Sequence, residues 1–232
     1  MSASTLLYNS PERGNGLLQK LLLPNPTFQL NTPRANERLA VEDYIATHFN
    51  RTYAAEVSSF LPLLFTMKCQ QNYSATLGLR SAQHAPLFLE QYLDAPIEDK
   101  LVEHFAEPIH RHHIVEIGNL VATQRGASYL LFVLVAAILS KVGVRWLTFT
   151  ATEQVQHILK RLKFKTYALT TATESQLQSS ENWGSYYQQN PCVMVGDLRQ
   201  THDLIMKNKM LRMITEHYED IIDTLAQTWR RH

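Results

Sequence analysis

From Ala35 to about Ala55 the apolar residues Leu39, Val41, Tyr44, Ile45, Phe49 and Tyr53 recur at three- and four-residue spacing, which predicts an amphipathic helix. Phe60 to Cys69 is apolar and partly β-branched or aromatic, and Tyr73 to Ser81 alternates, so the two predict antiparallel strands joined across Gln70-Gln71-Asn72. Pro86 to Leu93 and Ile97 to Phe105 read as helices, the second started by Pro96. Ile114 to Thr123 then reads as a strand, Gln124 to Ser128 as a turn, Tyr129 to Val142 as a helix apolar on nearly all sides, and Val144 to Thr150 as a second strand. A helix over Glu153 to Leu162, with Thr150 and Glu153 as a capping box, completes the group. Strand, crossover helix and strand make a βαβ unit, whose strands should be parallel with a right-handed connection. Lys165 to Thr171 and Pro191 to Gly196 are further strands on either side of a polar loop, Thr173 to Asn182. The tail repeats Leu204, Leu211, Tyr218 and Leu225 with Ile214 and Ile221 between them. A period of about 3.5 predicts one long C-terminal amphipathic helix, its seam turned either on its own domain or on a second copy as a homodimer. The chain thus divides into an irregular, proline-rich lead-in (1–33), an α/β (α+β) domain (34–199) with a mixed central sheet flanked by helices, and the tail helix (200–232).

Composition narrows the function. The chain has 232 residues, 45% of them hydrophobic, and 22 basic against 21 acidic side chains leave a charge of +1. A protein that neutralises nucleic-acid phosphates needs a basic excess, so no nucleic-acid partner is expected. Cys69 and Cys192 form neither a disulfide framework nor a metal set, and a reducing compartment is the default. The longest uncharged apolar run, Gly126 to Ser140, reaches only about 22 Å as a helix, short of a ~30 Å hydrocarbon core. The first residues lack the basic and apolar regions of a cleaved signal, so export is not expected and the cytoplasm is.

Candidate chemistry gathers around the βαβ unit. The turn Thr123-Gln-Arg-Gly126-Ala-Ser128 leads into a helix amino terminus, whose free N–H groups and positive dipole end suit a phosphate, although any strand-to-helix turn can carry a glycine. Glu116 is a carboxylate inside a central strand. It is either ion-paired, to Arg80 or to the His110-Arg-His-His113 run, or a general base whose pKa burial has raised. A bulge at Gly118 would bring Glu116 and Asn119 to one side. The histidine run lacks further ligands at metal spacing and reads as a solvated basic turn, so no metal is expected. Trp183 to Tyr187 is an aromatic loop, either a lid or a hydrophobic plug.

These residues carry a resemblance. The element order is similar to the GNAT N-acyltransferase fold, with Thr123-x-x-Gly126-x-Ser128 where that family binds the pyrophosphate of coenzyme A. More closely, Arg38…Val41-Glu-Asp-Tyr-Ile45, Leu77-Gly-Leu-Arg80-Ser-Ala82, Leu87-Phe-Leu-Glu-Gln-Tyr-Leu-Asp94, Glu116-Ile-Gly-Asn-Leu120 and Trp183-Gly-Ser-Tyr-Tyr187 resemble the bacterial thermostable hemolysins, over about 33–196. That family in turn resembles the acyl-homoserine-lactone synthases. The resemblance implies an acyl thioester of coenzyme A or acyl carrier protein as co-substrate, with no tightly bound cofactor, and a small amine acceptor. It places the donor along Leu120, Val121, Thr123, Gln124, Arg125, Gly126, Ala127 and Ser128, and the acceptor at Arg80, Asn119 and Trp183. Glu116 would be the base, and a backbone N–H near Leu120 would polarise the carbonyl. The sequence departs from the pattern at Thr123, Ser128 and Lys163. Leu159 stands where many members have a tyrosine acid, leaving Tyr186 or Tyr187 to protonate the thiol. Lys160, Arg161, Lys163 and Lys165 form either a docking patch for a carrier protein or the solvated side of a helix. The family's name implies the alternative of membrane lysis, through the tail or the apolar helix; a ligand-binding relative without catalysis is a third reading.

Overall fold

The computed structural model describes residues 25–178 and 181–231. Seven strands form one sheet in the order β1-β2-β3-β4-β5-β7-β6. They are β1 (Pro26–Asn31), β2 (Leu63–Cys69), β3 (Asn72–Ser81), β4 (Ile114–Ala122), β5 (Trp146–Ala151), β6 (Thr166–Thr171) and β7 (Cys192–Asp197). Only β4 and β5 run parallel, as the βαβ reading requires; every other pair is antiparallel. Gln70 and Gln71 both take positive φ, the two-residue turn that suits the twist of the β2–β3 hairpin. Of the lead-in expected over 1–33, residues 1–24 lie outside the described residues, and part of the remainder is not irregular but strand β1.

The helices are α1 (Arg38–Tyr53), α2 (Ile97–Phe105), α3 (Ala127–Lys141), α4 (Glu153–Arg161), α5 (Leu198–Lys207), α6 (Lys209–His217) and α7 (Glu219–Trp229). On one face of the sheet α3 lies between the strands and α5 to α7, which is why it is apolar on nearly all sides: Leu131, Leu134 and Leu139 are wholly buried. The other face carries α1, through Val41, Ile45 and Phe49, and then α2 with a short 3₁₀ segment, Phe88–Tyr92. Leu39, counted on the apolar side of α1, points to solvent at 78% exposure.

Two local expectations are corrected and one open alternative is decided. The tail is three helices, because the Asn208 side chain accepts from the N–H groups of Met210 and Leu211 at 3.0 and 3.2 Å and so starts a new helix. Its seam residues, Leu211, Ile214, Tyr218, Ile221 and Leu225, are buried against the chain's own core rather than held out for a second copy. The capping box at Thr150 does not form, since β5 pairs with β7 as far as Ala151 and α4 starts only at Glu153.

The central strands create a gap. The β4–β5 pairing runs from Ile114 and Trp146 to Ile117 and Phe149 and stops, while β4 continues along β3 and β5 along β7. Along β3, Gly78 faces Gly118 and Thr76 faces Val121, so two residues of β4, Asn119 and Leu120, oppose Leu77 alone. Asn119 takes φ 49° at this bulge.

Candidate active site

Where β4 and β5 part, a cleft of about 140 Å³, partly open to solvent, is lined from both faces of the sheet. Its walls come from both faces: Phe49, Tyr53, Trp183 and Tyr186 above the sheet, Phe132, Phe149 and Val155 below. A second, small cavity of about 30 Å³, almost wholly apolar, shares Ile117, Phe132 and Phe149 with it.

Glu116 stands at the cleft and is 3% exposed. Its two oxygens accept from the backbone N–H groups of Phe88, at 2.9 Å, and Leu89, at 2.8 Å, which open the 3₁₀ segment. Burial nevertheless outweighs these bonds and the nearby Arg80 charge, and pushes the Glu116 pKa up to about 7. Arg80 faces Glu116 across the β3–β4 pair, and its guanidinium donates to the Pro86 carbonyl at 3.3 Å. The ion pair considered with the histidine run is not made: Arg111 goes to Glu90, at 2.8 Å, and to Glu98. Glu90 in turn accepts from the N–H groups of Leu87 and Ile97, so the basic turn braces the segment that holds Glu116. Among the described residues no group of His, Cys, Asp or Glu is arranged to hold a metal ion.

The bulge brings Asn119 to the same cleft as Glu116. Its oxygen accepts from the Leu61 N–H at 2.8 Å and its nitrogen donates to the Ser59 carbonyl at 3.3 Å, so it also braces the 59–61 wall. A side chain at Gly78 would lie 2.8 Å from Leu61 Cβ, which explains the glycine there.

Trp183 is 8% exposed and meets Phe88, Phe49 and Tyr186 with ring centroids 5.9, 6.3 and 5.4 Å away. Its loop is fastened down by Glu56 N–H to the Asn182 carbonyl (2.7 Å), Ser185 N–H to the Tyr53 carbonyl (2.7 Å) and Ser58 Oγ to Glu181 (2.7 Å). The loop is therefore a fixed wall. Tyr187 is not part of that wall; its hydroxyl meets the Tyr92 hydroxyl at 2.6 Å, burial pushes its pKa up to about 12, and Tyr186 takes the place facing the cleft.

The proposed donor residues separate. Leu120 lines the cleft, whereas Val121 is buried under α1 with Val41, Ile45 and Leu64 and has only its backbone left for a ligand. The turn 123–128 lies beyond the end of β4, outside the cleft walls. The Thr123 hydroxyl meets the Tyr44 hydroxyl at 3.0 Å. Gln124 and Arg125 carry the chain to Gly126, at φ 85° with nothing within 4 Å of an added Cβ, and α3 starts at Ala127, with Ser128 and Tyr129 in its first turn. Lys160, Arg161, Lys163 and Lys165 are all exposed, so both readings of that patch stand. The backbone donors of Phe88 and Leu89 carry no signature in a sequence, and neither they nor the cleft residues Tyr53, Glu181 and Thr152 were anticipated.

The family model "Thermostable hemolysin" matches residues 31–202. The chain belongs to the thermostable hemolysin family. In fold this family member is similar to the AHL synthase LasI, with 12% identity over 75% of this chain and 91% of that one and a TM-score of 0.53. It is also similar to FeeM, an N-acyl amino acid synthase from uncultured soil microbes, with 9% identity over 82% and 98% of the two chains and a TM-score of 0.55. No curated protein matches the hemolysin-family chain in sequence. Its mixed seven-stranded sheet flanked by helices is GNAT-like.

Proposed function

We propose that the protein is an acyltransferase that moves an acyl group from a thioester, of coenzyme A or of acyl carrier protein, to the amine of a small acceptor. The observation that carries this reading is Glu116, a buried carboxylate with a pKa near 7 at the cleft where β4 and β5 separate. There it is poised to take a proton from an attacking amine near neutral pH. The unpaired backbone of β4 past Ile117 gives the donor's pantetheine a partner, and the amino end of α3 suits its phosphates. The apolar wall that Phe132 and Phe149 give the cleft suits the first carbons of an acyl chain, and Arg80 and Trp183 are the acceptor-side candidates. The two solved neighbours, named as an AHL synthase and an N-acyl amino acid synthase, support the general chemistry. A reducing, thioester-making compartment, the cytoplasm, fits this role.

The family name favours lysis, but the segments that would drive it, α3 and the tail helices, are spent on the core, and among the described residues no helix is long and apolar enough to cross a membrane.

Coenzyme A or a long-chain acyl-CoA at about 100 times Kd should stabilise the protein by about 2.7 kcal/mol, a melting shift of roughly 5–10 °C for a chain of this size. Thermal denaturation checks it. An unchanged midpoint with coenzyme A, acyl-CoA and acyl carrier protein alike would remove the donor from this reading.

A further inference from the structure

The base proposed above, on which this inference rests, is held by a segment with little structure of its own. Phe88 and Leu89 donate to Glu116 at 2.9 and 2.8 Å, yet the 3₁₀ segment that presents them is five residues long. Its own hydrogen bonds, from the Glu90 N–H to the Leu87 carbonyl (3.2 Å) and from the Leu93 N–H to the Glu90 carbonyl (3.1 Å), have the poorer geometry of a 3₁₀ turn. What fixes it comes from elsewhere in the fold.

Glu90, which follows Leu89, is clasped by Arg111. Its Oε1 accepts from Arg111 Nη1 at 2.8 Å and from the Ile97 N–H at 2.8 Å. Its Oε2 accepts from Arg111 Nη2 at 3.2 Å and from the Leu87 N–H at 2.7 Å, so guanidinium and carboxylate meet fork to fork. Arg111 Nε also donates to the Ala82 carbonyl at 2.8 Å and Nη2 to the Ala85 carbonyl at 3.3 Å, which fixes the chain leading into the segment. Glu98 of α2 also takes Nη1, at 2.5 Å, but belongs to a different element. Arg111 lies in the turn that opens β4, five residues before Glu116, so one stretch of chain grips the 87–90 turn twice: through Glu90 and through the Phe88 and Leu89 N–H groups.

We infer that Arg111 is a positioning residue for the base: through Glu90 it holds the 87–89 turn so that the Phe88 and Leu89 N–H groups stay on the Glu116 carboxylate. A carboxylate this deeply buried depends on those two bonds to be charged near neutral pH, since burial works against the anion and they work for it. Lengthening either bond makes Glu116 harder to ionise and leaves less of it able to accept a proton. The other charged or titratable groups that face Glu116 are Arg80 on β3 and Glu90 and Tyr92 on the 3₁₀ segment, with Tyr53, Glu181 and Tyr186 across the cleft. None of these is altered when Arg111 is replaced by lysine.

Arg111→Lys keeps the charge and loses the fork, because an ammonium is a point charge that cannot match both oxygens of Glu90. The Glu116 carboxyl, followed by carbon-13 NMR of glutamate-labelled protein and assigned by its loss in Glu116→Gln, should titrate about one pH unit higher than in the parent. The kcat/KM for acyl transfer should then fall about fivefold at pH 7 and recover to within about twofold at pH 9. Arg111→Gln should move the midpoint at least as far. Glu98→Gln, which takes an ion pair from the same guanidinium, should leave midpoint and transfer unchanged. An unmoved Glu116 midpoint in Arg111→Lys, an equal displacement in Glu98→Gln, or a loss of transfer that is the same at pH 7 and pH 9 would overturn the assignment. If the midpoint moves but the unaltered protein transfers no acyl group, it is the acyltransferase reading that falls and not the brace.

Discussion

Glu116→Gln should lower acyl transfer by about 100- to 1,000-fold, because the amide cannot accept the proton that the amine must lose. In the unaltered protein kcat/KM should rise about tenfold per pH unit below pH 7 and level off above it, following a carboxyl with a pKa of about 7. Turnover that persists in the variant, or a flat profile from pH 5 to 8, would exclude Glu116 as the base. Stability has its own pH signature. The folded pKa lies above the ordinary 4.5, so the stability this carboxyl contributes is complete below about pH 4.5 and is lost as pH rises through about 7. From pH 5 to 8 that loss amounts to about 2 kcal/mol. Glutamine has no such dependence. It also sets an NH₂ against the Phe88 or Leu89 N–H, at a cost of about 1–3 kcal/mol. Urea denaturation should therefore find the variant less stable at pH 5, with the gap narrowing by pH 8.

Gly184→Ala should produce the largest structural effect. Gly184 has φ 54°, and a Cβ there would lie 2.0 Å from the Tyr53 carbonyl oxygen and 2.8 Å from the Ala54 carbonyl. These are backbone atoms that cannot swing aside, so the loop must lift, breaking the Ser185–Tyr53 and Glu56–Asn182 hydrogen bonds and drawing Trp183 from Phe49 and Phe88. A loss of about 3 kcal/mol or more is expected, together with red-shifted tryptophan emission and faster proteolysis between Thr173 and Tyr187. Unchanged stability and emission would show that the loop is not clamped as described.

Much of the centre of the molecule was legible in the sequence. The change from a strand run to an all-apolar helix and back, between Ile114 and Thr150, has one economical solution, a parallel pair with a crossover, and β4, α3 and β5 realise it. Glu116 stood out because a carboxylate in an apolar strand requires a reason; the bulge expected at Gly118 falls one residue later, at Asn119 and Leu120, while Gly118 pairs regularly with Gly78. Periodicity was a poorer guide where a local polar group competes with it. Asn208 caps a new helix in the middle of an unbroken apolar repeat, and Pro86 to Leu93 keeps only the 3₁₀ segment Phe88–Tyr92 because its N–H groups are turned toward Glu116.

Sequence alone determined the family, the βαβ centre with its flanking strands and the carboxylate inside the central strand, because spacing and residue type survive in one dimension. Tertiary structure alone decided what surrounds that carboxylate. The Phe88 and Leu89 donors are backbone atoms common to nearly every residue, the gap between β4 and β5 comes from their separate commitments to β3 and β7, and the Trp183 loop is held by the Tyr53 carbonyl, far from it in the chain. The Glu116 pKa, a balance of burial against two hydrogen bonds and a neighbouring charge, exists only once those distant parts have met.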